Sequence, residues 1–209
     1  MFTWVALTKL ADTMVMLPAA ALCIGGLALR RAWRLALSWC LLLTLGLAIV
    51  AATKIAFIGW GIGIRSLDFT GFSGHAMRAT AIAPVLLYLI CQKAPPPARL
   101  AAVLAGIGFG LLIGVSRLMV HAHSMSEVVG GCLVGAVIGL VFISMLAGMH
   151  NPVPPSPVFA LGLLVLVLAP MSEPASTERW LQHMAMSLSG NERPFVRADW
   201  KTAPVNRPI

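Results

Sequence analysis

The sequence predicts an all-α fold: a polytopic membrane helical bundle with about six transmembrane helices. Of the 209 residues, 59% are hydrophobic and only 11% are charged, whereas soluble proteins carry about 25% charged residues. The mean hydropathy is +0.90. Uncharged apolar runs fill most of the chain, and about 20 such residues suffice for a helix to cross a bilayer. These observations exclude a soluble fold.

The charge and the cysteines narrow the class of protein further. The formal net charge is +8, and a basic excess on a polar surface would suggest a nucleic-acid partner. Here the basic residues lie between apolar runs, so we expect membrane lipids and no nucleic acid as partners. The cysteines lie within apolar stretches without a CxxC pair, so we predict packing roles and no disulfide framework. They are Cys23, Cys40, Cys91 and Cys132.

The uncharged runs give the expected spans in order. The first run follows a single lysine, as a signal peptide would. It leads directly into Arg30, Arg31 and Arg34 without a small-residue cleavage site, so we interpret it as a span. Prolines between 152 and 157 delay the last run and shorten its helix to 158–171. The runs are 13–29, 35–53, 79–92, 100–116, 128–149 and 151–172.

The third run is long enough to span a bilayer only if its helix begins near Ser73. That start places His75 and Arg78 in the first turns, where contact with lipid would be costly. We therefore expect these side chains to face a wet cavity or to reach the membrane interface.

The glycines of the fifth run recur at a helical spacing. Gly131, Gly135 and Gly139 are four residues apart, and such a stripe lets another helix approach closely. We interpret the stripe as intramolecular packing and keep a homodimer as the alternative. The oligomeric state is left open.

An even number of spans places both chain ends on the same side of the membrane. The opposite side then carries short loops with basic residues and no acid, which mark the cytoplasmic face. We therefore predict a multi-pass protein of a bacterial inner (plasma) membrane, with the acid-bearing side on its periplasmic or extracytoplasmic face. The basic loop residues are Arg30, Arg31, Arg34, Lys93 and Arg99.

The chain divides into two predicted regions. Residues 1–172 form the membrane-embedded domain, and residues 173–209 form an extracytoplasmic tail. A short helix is predicted from Trp180 to Leu188, and Gly190 ends it.

Polar and ionisable side chains gather at the span ends on the acid-bearing side. Ionisable residues at such positions in a membrane protein indicate a functional site. Helix ends on one face of a bundle can meet although they are distant in sequence. The residues are Lys54, Ser73, Gly74, His75, Ser116, Arg117, His123 and Glu127.

The types of residue in this set suit phosphoryl transfer. Fixed positive charges, together with the backbone N–H groups of a Ser73-Gly74-His75 turn at a helix N-terminus, describe an oxyanion site. Histidines on different helices supply a nucleophile and a proton donor. His123 and Glu127 are four residues apart and share a helix face, so the carboxylate can hold one imidazole nitrogen while the other attacks.

These motifs resemble the type 2 phosphatidic acid phosphatase (lipid phosphate phosphatase) superfamily. The family pattern is Lys-x6-Arg-Pro, then Pro-Ser-Gly-His, then Ser-Arg-x5-His-x3-Asp. The resemblance covers residues 54–127 and implies a metal-independent hydrolase, without a cofactor, that forms a phosphohistidine intermediate. The matching residues are Ser73-Gly74-His75 and Ser116-Arg117-x5-His123-x3-Glu127.

The resemblance also implies a role for each matching residue. His123 is the expected nucleophile, His75 the acid that protonates the leaving oxygen, and Glu127 the carboxylate that orients His123. The residues expected to bind the phosphoryl group are Lys54, Arg117, Ser73, Gly74 and Ser116. Arg65 is added to this set as our own hypothesis.

Three positions depart from the family pattern. Phe72 stands where the family has Pro, and Glu127 stands where it has Asp. The Arg-Pro of the first motif is missing six residues after Lys54. We favour Arg65, in the glycine-rich segment that follows, as its replacement, with Arg193 of the tail as the alternative.

The expected function is hydrolysis of a phosphomonoester or pyrophosphate on a lipid. Polyprenyl pyrophosphate, phosphatidic acid, phosphatidylglycerol phosphate and a lipid A phosphate all remain open as substrates. The competing reading is an inactive or transport-type membrane protein with a phosphate-binding vestibule. Vanadate-dependent halide oxidation, which resembling soluble families perform, is a further alternative.

Overall fold

The computed structural model describes residues 4–148 and 177–202. These two ranges contain helices and a 3-10 turn at Arg65–Leu67, and no strand. The predicted helical membrane bundle is confirmed. The helices are α1 Trp4–Lys9, α2 Thr13–Leu29, α3 Trp33–Trp60, α4 Gly74–Ile90, α5 Pro96–Met119, α6 Met125–Ala147, α7 Thr177–Ser189 and α8 Asp199–Thr202.

Several of these helices match the expected spans. The stretch Trp4–Leu29, which contains α1 and α2, is long and apolar enough to cross a membrane, and so are α3, α5 and α6. Helix α4 is a shorter apolar helix. Leucines and valines on the outer faces of α3, α5 and α6 are exposed, as in helices surrounded by lipid. The predicted sixth span, 151–172, lies outside the described residues.

The expected end of the second span at residue 53 is wrong. α3 continues to Trp60 and ends at Gly61, which has the left-handed φ of 69° that glycine adopts without strain. Residues 55–60 are apolar and extend the helix. A single lysine can direct its ammonium group towards water without interrupting a helix, so Lys54 lies inside α3.

Helix α4 lies at the centre of the bundle and is buried along nearly its whole length. Glycines on α5 and α6 allow both neighbours to approach it: Gly110 contacts Thr80, and Gly135 contacts the Met77 carbonyl group. The predicted stripe on α6 therefore faces α4 within the same chain. Its members Gly131, Gly135 and Gly139 lie against Ser73, Met77 and Ala81 respectively.

The C-terminal segment, residues 177–202, packs against the last turns of α3. Gly59 lies against α7, near Ala185 and Ser189. Beyond α7, the Phe195 N–H donates to the Ile58 carbonyl oxygen at 2.8 Å. α7 contains the short helix predicted from Trp180 to Leu188, and Gly190 follows it at a φ of 72°.

The packing of α4 against α6 predicts the effect of a methyl group at Gly135. A Cβ there would lie 2.3 Å from the Met77 carbonyl oxygen, so Gly135→Ala should destabilise the protein by about 1–3 kcal/mol because the helices must separate. The measurement is the thermal unfolding midpoint in detergent. Gly108→Ala is the matched control, since no atom lies within 4 Å of that position and alanine should stabilise the helix by roughly 0.5–1 kcal/mol. Equal midpoints for both variants would contradict this packing.

Candidate active site

A pocket of about 320 Å³ lies at the end of the bundle where α3 ends and α6 begins. The α3–α4 connection, the α5–α6 turn and the C-terminal segment complete its walls. Among its lining residues are Lys54, His123 and Glu127, which the sequence predicted, and Glu178 and Arg197, which it did not. Within residues 4–148 and 177–202, no cluster of three or more His, Cys, Asp or Glu side chains is placed to bind a metal ion.

His123 and Glu127 form the central pair of the pocket. His123 Nδ1 lies 2.7 Å from Glu127 Oε2, and the two side chains are 10% and 0% exposed. Ser124 caps α6, and Glu127 completes a capping box because its Oε2 accepts the Ser124 N–H at 3.2 Å. The start of the helix thus holds the carboxylate, and the carboxylate holds Nδ1. Nε2 is then the nitrogen left free to act as nucleophile.

The other carboxylate oxygen of Glu127, Oε1, accepts hydrogen bonds from two residues that the sequence did not single out. Thr70 donates through its backbone N–H, at 2.7 Å, and through its hydroxyl group. Arg197 Nη2 lies 2.6 Å from the same oxygen. A fully buried carboxylate is costly unless its oxygens are bonded, and these donors meet that requirement.

The protonation state of His123 follows from its surroundings. Burial lowers the pKa of the imidazole below its usual 6.5. The hydrogen bond to Glu127 raises the pKa, whereas the positive charges of Lys54 and Arg117 lower it, and the net shift is downward. His123 is therefore neutral at neutral pH, the form in which Nε2 carries a lone pair.

His75 lies in the first turn of α4. Ser73 caps α4, and its backbone N–H donates to the Glu127 carbonyl oxygen at 3.0 Å. This bond joins the segments that carry the two histidines. Electrostatic interactions also link His75 to His123 and Lys54. Both imidazoles therefore lie at the same end of the bundle.

Asp12 is a further acidic group near His75. Its carboxylate caps α2 by accepting the Met14 N–H at 3.0 Å. Asp12 Oδ2 also lies 3.9 Å from His75 Nε2. The carboxylate therefore lies beside the imidazole that the sequence predicts as the general acid.

The two predicted phosphate-binding cations share an acidic neighbour. Lys54 Nζ forms an ion pair with Glu178 Oε2 at 3.0 Å. Arg117 interacts electrostatically with Glu178 and Asp12, and its buried Nε has no hydrogen-bond partner within the described ranges. The Glu178 carboxylate therefore lies in the combined field of Lys54 and Arg117, where an anionic group of a substrate would be attracted.

Ser73, Gly74, His75, Ser116 and Arg117 are not among the residues that line the pocket. The hydroxyl group of Ser116 is directed elsewhere, because it donates to the Ile113 carbonyl oxygen at 2.6 Å and shares a hydrogen bond with Thr8 at 2.8 Å. The structure therefore uses Ser116 to tie α1 to α5 rather than bringing it to the pocket.

Neither arginine expected to replace the missing one reaches the pocket. Arg65 lies over the Trp200 ring, 6.0 Å from its centroid, and lines a separate cavity. The side chain of Arg193 is 74% exposed and pairs with Asp199. Arg197, four residues further along the tail, contacts Glu127 instead.

The structure also shows the contacts of Arg78, which the sequence places in the first turns of α4, and of Phe72, which precedes that helix. Arg78 is only 7% exposed, and its Nη2 donates to the Ala11 carbonyl oxygen at 3.4 Å, so it does not extend to the interface. Phe72, which replaces the family's proline, donates its backbone N–H to Thr53 Oγ1 at 3.2 Å. Proline lacks this donor, so the replacement adds a bond between α3 and the start of α4.

Part of the chain matches a known protein family. The family model of the PAP2 superfamily matches residues 59–149. An uncharacterized 22.5 kDa protein in the cps region of Klebsiella pneumoniae is 37% identical over 201 residues, which cover 94% of this chain and 96% of that protein. Phosphatidylglycerophosphatase B of Bacillus subtilis (strain 168) is 27% identical over 78 residues, covering 36% of this chain and 38% of that enzyme. No solved structure matches.

Proposed function

The chain belongs to the PAP2 superfamily, and we propose that it is a membrane-integral phosphatase that removes a phosphate group from a lipid. The observation that carries the proposal is the His123 imidazole, which is held at Nδ1 by the buried Glu127 carboxylate in a pocket that also contains Lys54. A neutral, oriented imidazole beside fixed positive charge is suited to attack phosphorus.

The proposed reaction has two steps. His123 Nε2 attacks phosphorus, the bond to the lipid oxygen breaks, and His75 donates a proton to that oxygen. Water then attacks the phosphohistidine, the phosphorus–nitrogen bond breaks, and His75 accepts the proton, which releases phosphate and restores the enzyme. Lys54, which lines the pocket, stabilises the charge on the phosphoryl oxygens, and the nearby positive charge of Arg117 adds to this field.

A lipid substrate is supported by the position of the pocket at the end of a bundle with apolar outer faces. A head group could enter there while its chains stay in the leaflet. The name of the Bacillus subtilis relative points to a phosphorylated glycerolipid. A phosphomonoester or diphosphate carried by such a lipid, at the extracytoplasmic surface, is the proposed substrate.

Removal of the nucleophile tests the proposal. Purified protein in detergent should release phosphate from at least one of phosphatidylglycerol phosphate, phosphatidic acid, polyprenyl pyrophosphate and a lipid A phosphate. His123→Ala should lower kcat by about 10³-fold or more, which corresponds to roughly 4 kcal/mol of barrier. Full activity should persist in EDTA.

His183→Ala is the matched control, because His183 is an exposed histidine of α7 outside the pocket lining. Phosphate release that survives in His123→Ala, or that is absent from the wild type on all these lipids, would contradict the proposed activity.

The lowered pKa of His123 predicts the acid side of the pH profile. The reaction needs the neutral imidazole, so kcat/KM should fall only when the pH drops through the lowered pKa. The midpoint of this limb should therefore lie below 6.5, the usual value for histidine. The measurement is kcat/KM for phosphate release in buffers of equal ionic strength from about pH 4 to about pH 8. This range includes the usual pKa of a histidine side chain. A midpoint at or above the usual value would contradict the assigned environment.

The Lys54–Glu178 ion pair predicts an effect on substrate binding. A phosphoryl group must displace Glu178 before it can bind Lys54, and an exposed ion pair of this kind is worth about 0.2–1 kcal/mol. Glu178→Gln should therefore lower KM by up to about fivefold with little change in kcat. Glu192→Gln removes the same charge from an exposed position of the tail and should leave KM unchanged. An unchanged or higher KM for Glu178→Gln would show that this carboxylate does not compete with substrate.

A further inference from the structure

Arg197 reaches from the C-terminal segment to the buried carboxylate of the site. Its Nη2 lies 2.6 Å from Glu127 Oε1 and 3.3 Å from Thr70 Oγ1. Its Nη1 donates to Asp68 Oδ2 at 3.0 Å. The guanidinium group therefore bridges Asp68 in the α3–α4 connection and Glu127 at the start of α6.

The segment that carries Arg197 is anchored on both sides of it. Phe195 packs edge-on against Phe57, with 6.2 Å between ring centroids, and Trp200 packs against the same ring at 5.0 Å. Asp199 holds the intervening backbone by accepting the Val196 N–H at 2.9 Å. The side chain of Arg197 is thus presented to the pocket by a packed turn.

A buried carboxylate has a large desolvation cost, and a hydrogen-bonded cation offsets it. The Glu127 side chain is 0% exposed, and the Arg197 side chain is 37% exposed. The ion pair therefore joins a carboxylate that water does not reach to a guanidinium group that is partly accessible to water. We propose that Arg197 is a positioning residue, which holds the Glu127 carboxylate in place so that His123 Nδ1 is bonded and Nε2 points towards phosphorus. The proposal rests on the proposed function in taking His123 as the nucleophile.

The charge on Arg197 should also control how strongly His123 binds a proton. The charged and titratable groups around the pair are Lys54 from α3, His75 from α4, Arg117 from α5 and Arg197 from the tail, with Asp68 beyond Arg197. His121 and Glu178 line the same pocket. Without Arg197, Glu127 would keep its negative charge with one donor fewer. It would then attract the His123 proton more strongly.

Arg197→Ala should lower kcat by about tenfold or more while KM changes much less, because the residue acts through Glu127 and not on the substrate. The acid limb of the kcat/KM profile should move to higher pH. Arg197→Lys should recover part of kcat, since an ammonium group keeps the charge but not the planar group that bridges Asp68 and Glu127. Arg179→Ala, at an exposed position on α7, is the control for loss of a tail arginine.

A readout independent of turnover separates this proposal from the proposed function. Titration of the His123 side chain by NMR in detergent, with its signal assigned by its loss in His123→Ala, should show a higher pKa in Arg197→Ala than in the wild type. Thermal unfolding of each variant checks that it is folded. An unchanged His123 titration in folded Arg197→Ala would overturn the positioning role, and so would a change confined to KM. If wild-type protein releases no phosphate, the proposed activity fails, while the His123 titration still decides the role of Arg197.

Discussion

The buried carboxylate of Glu127 is the interaction on which the rest of the site depends. It is fully inaccessible to solvent, and its oxygens accept hydrogen bonds from Thr70, His123, Ser124 and Arg197. These donors come from the α3–α4 connection, the α5–α6 turn and the tail. Because removing any of them would leave buried charge less well compensated, a single carboxylate fixes the relative positions of these segments at one end of the bundle.

The packing around α4 brings this carboxylate to the second histidine. Glycines on α5 and α6 let both helices approach α4 at backbone distance, and Gly131 lies against the Ser73 carbonyl oxygen. The Ser73 N–H then reaches the Glu127 carbonyl oxygen. His75, two residues after Ser73, is therefore placed by backbone contacts between helices rather than by the flexible reach of its own side chain.

The sequence predicted what depends on local pattern and missed what depends on distant contacts. Apolar runs indicated the helices, and the His123–Glu127 spacing indicated their shared face. The exact end of α3 was missed because an isolated lysine resembles a span boundary, although Lys54 lies within the helix. The contact of Arg197 with Glu127 was missed because residues 70 positions apart meet only through the packing of the tail on α3. A tail with several arginines carries no local signal that singles out one of them.

Glu127 is itself a departure from the family pattern. The chain has a glutamate where the family has aspartate, and it lacks the Arg-Pro of the first motif. The PAP2 family match ends at residue 149, so Arg197 lies outside it. A carboxylate one methylene longer extends further from the α6 backbone, where it meets Thr70 and the guanidinium group of Arg197. In the proposed positioning role, the tail thus supplies a positive charge at the place where the longer side chain ends.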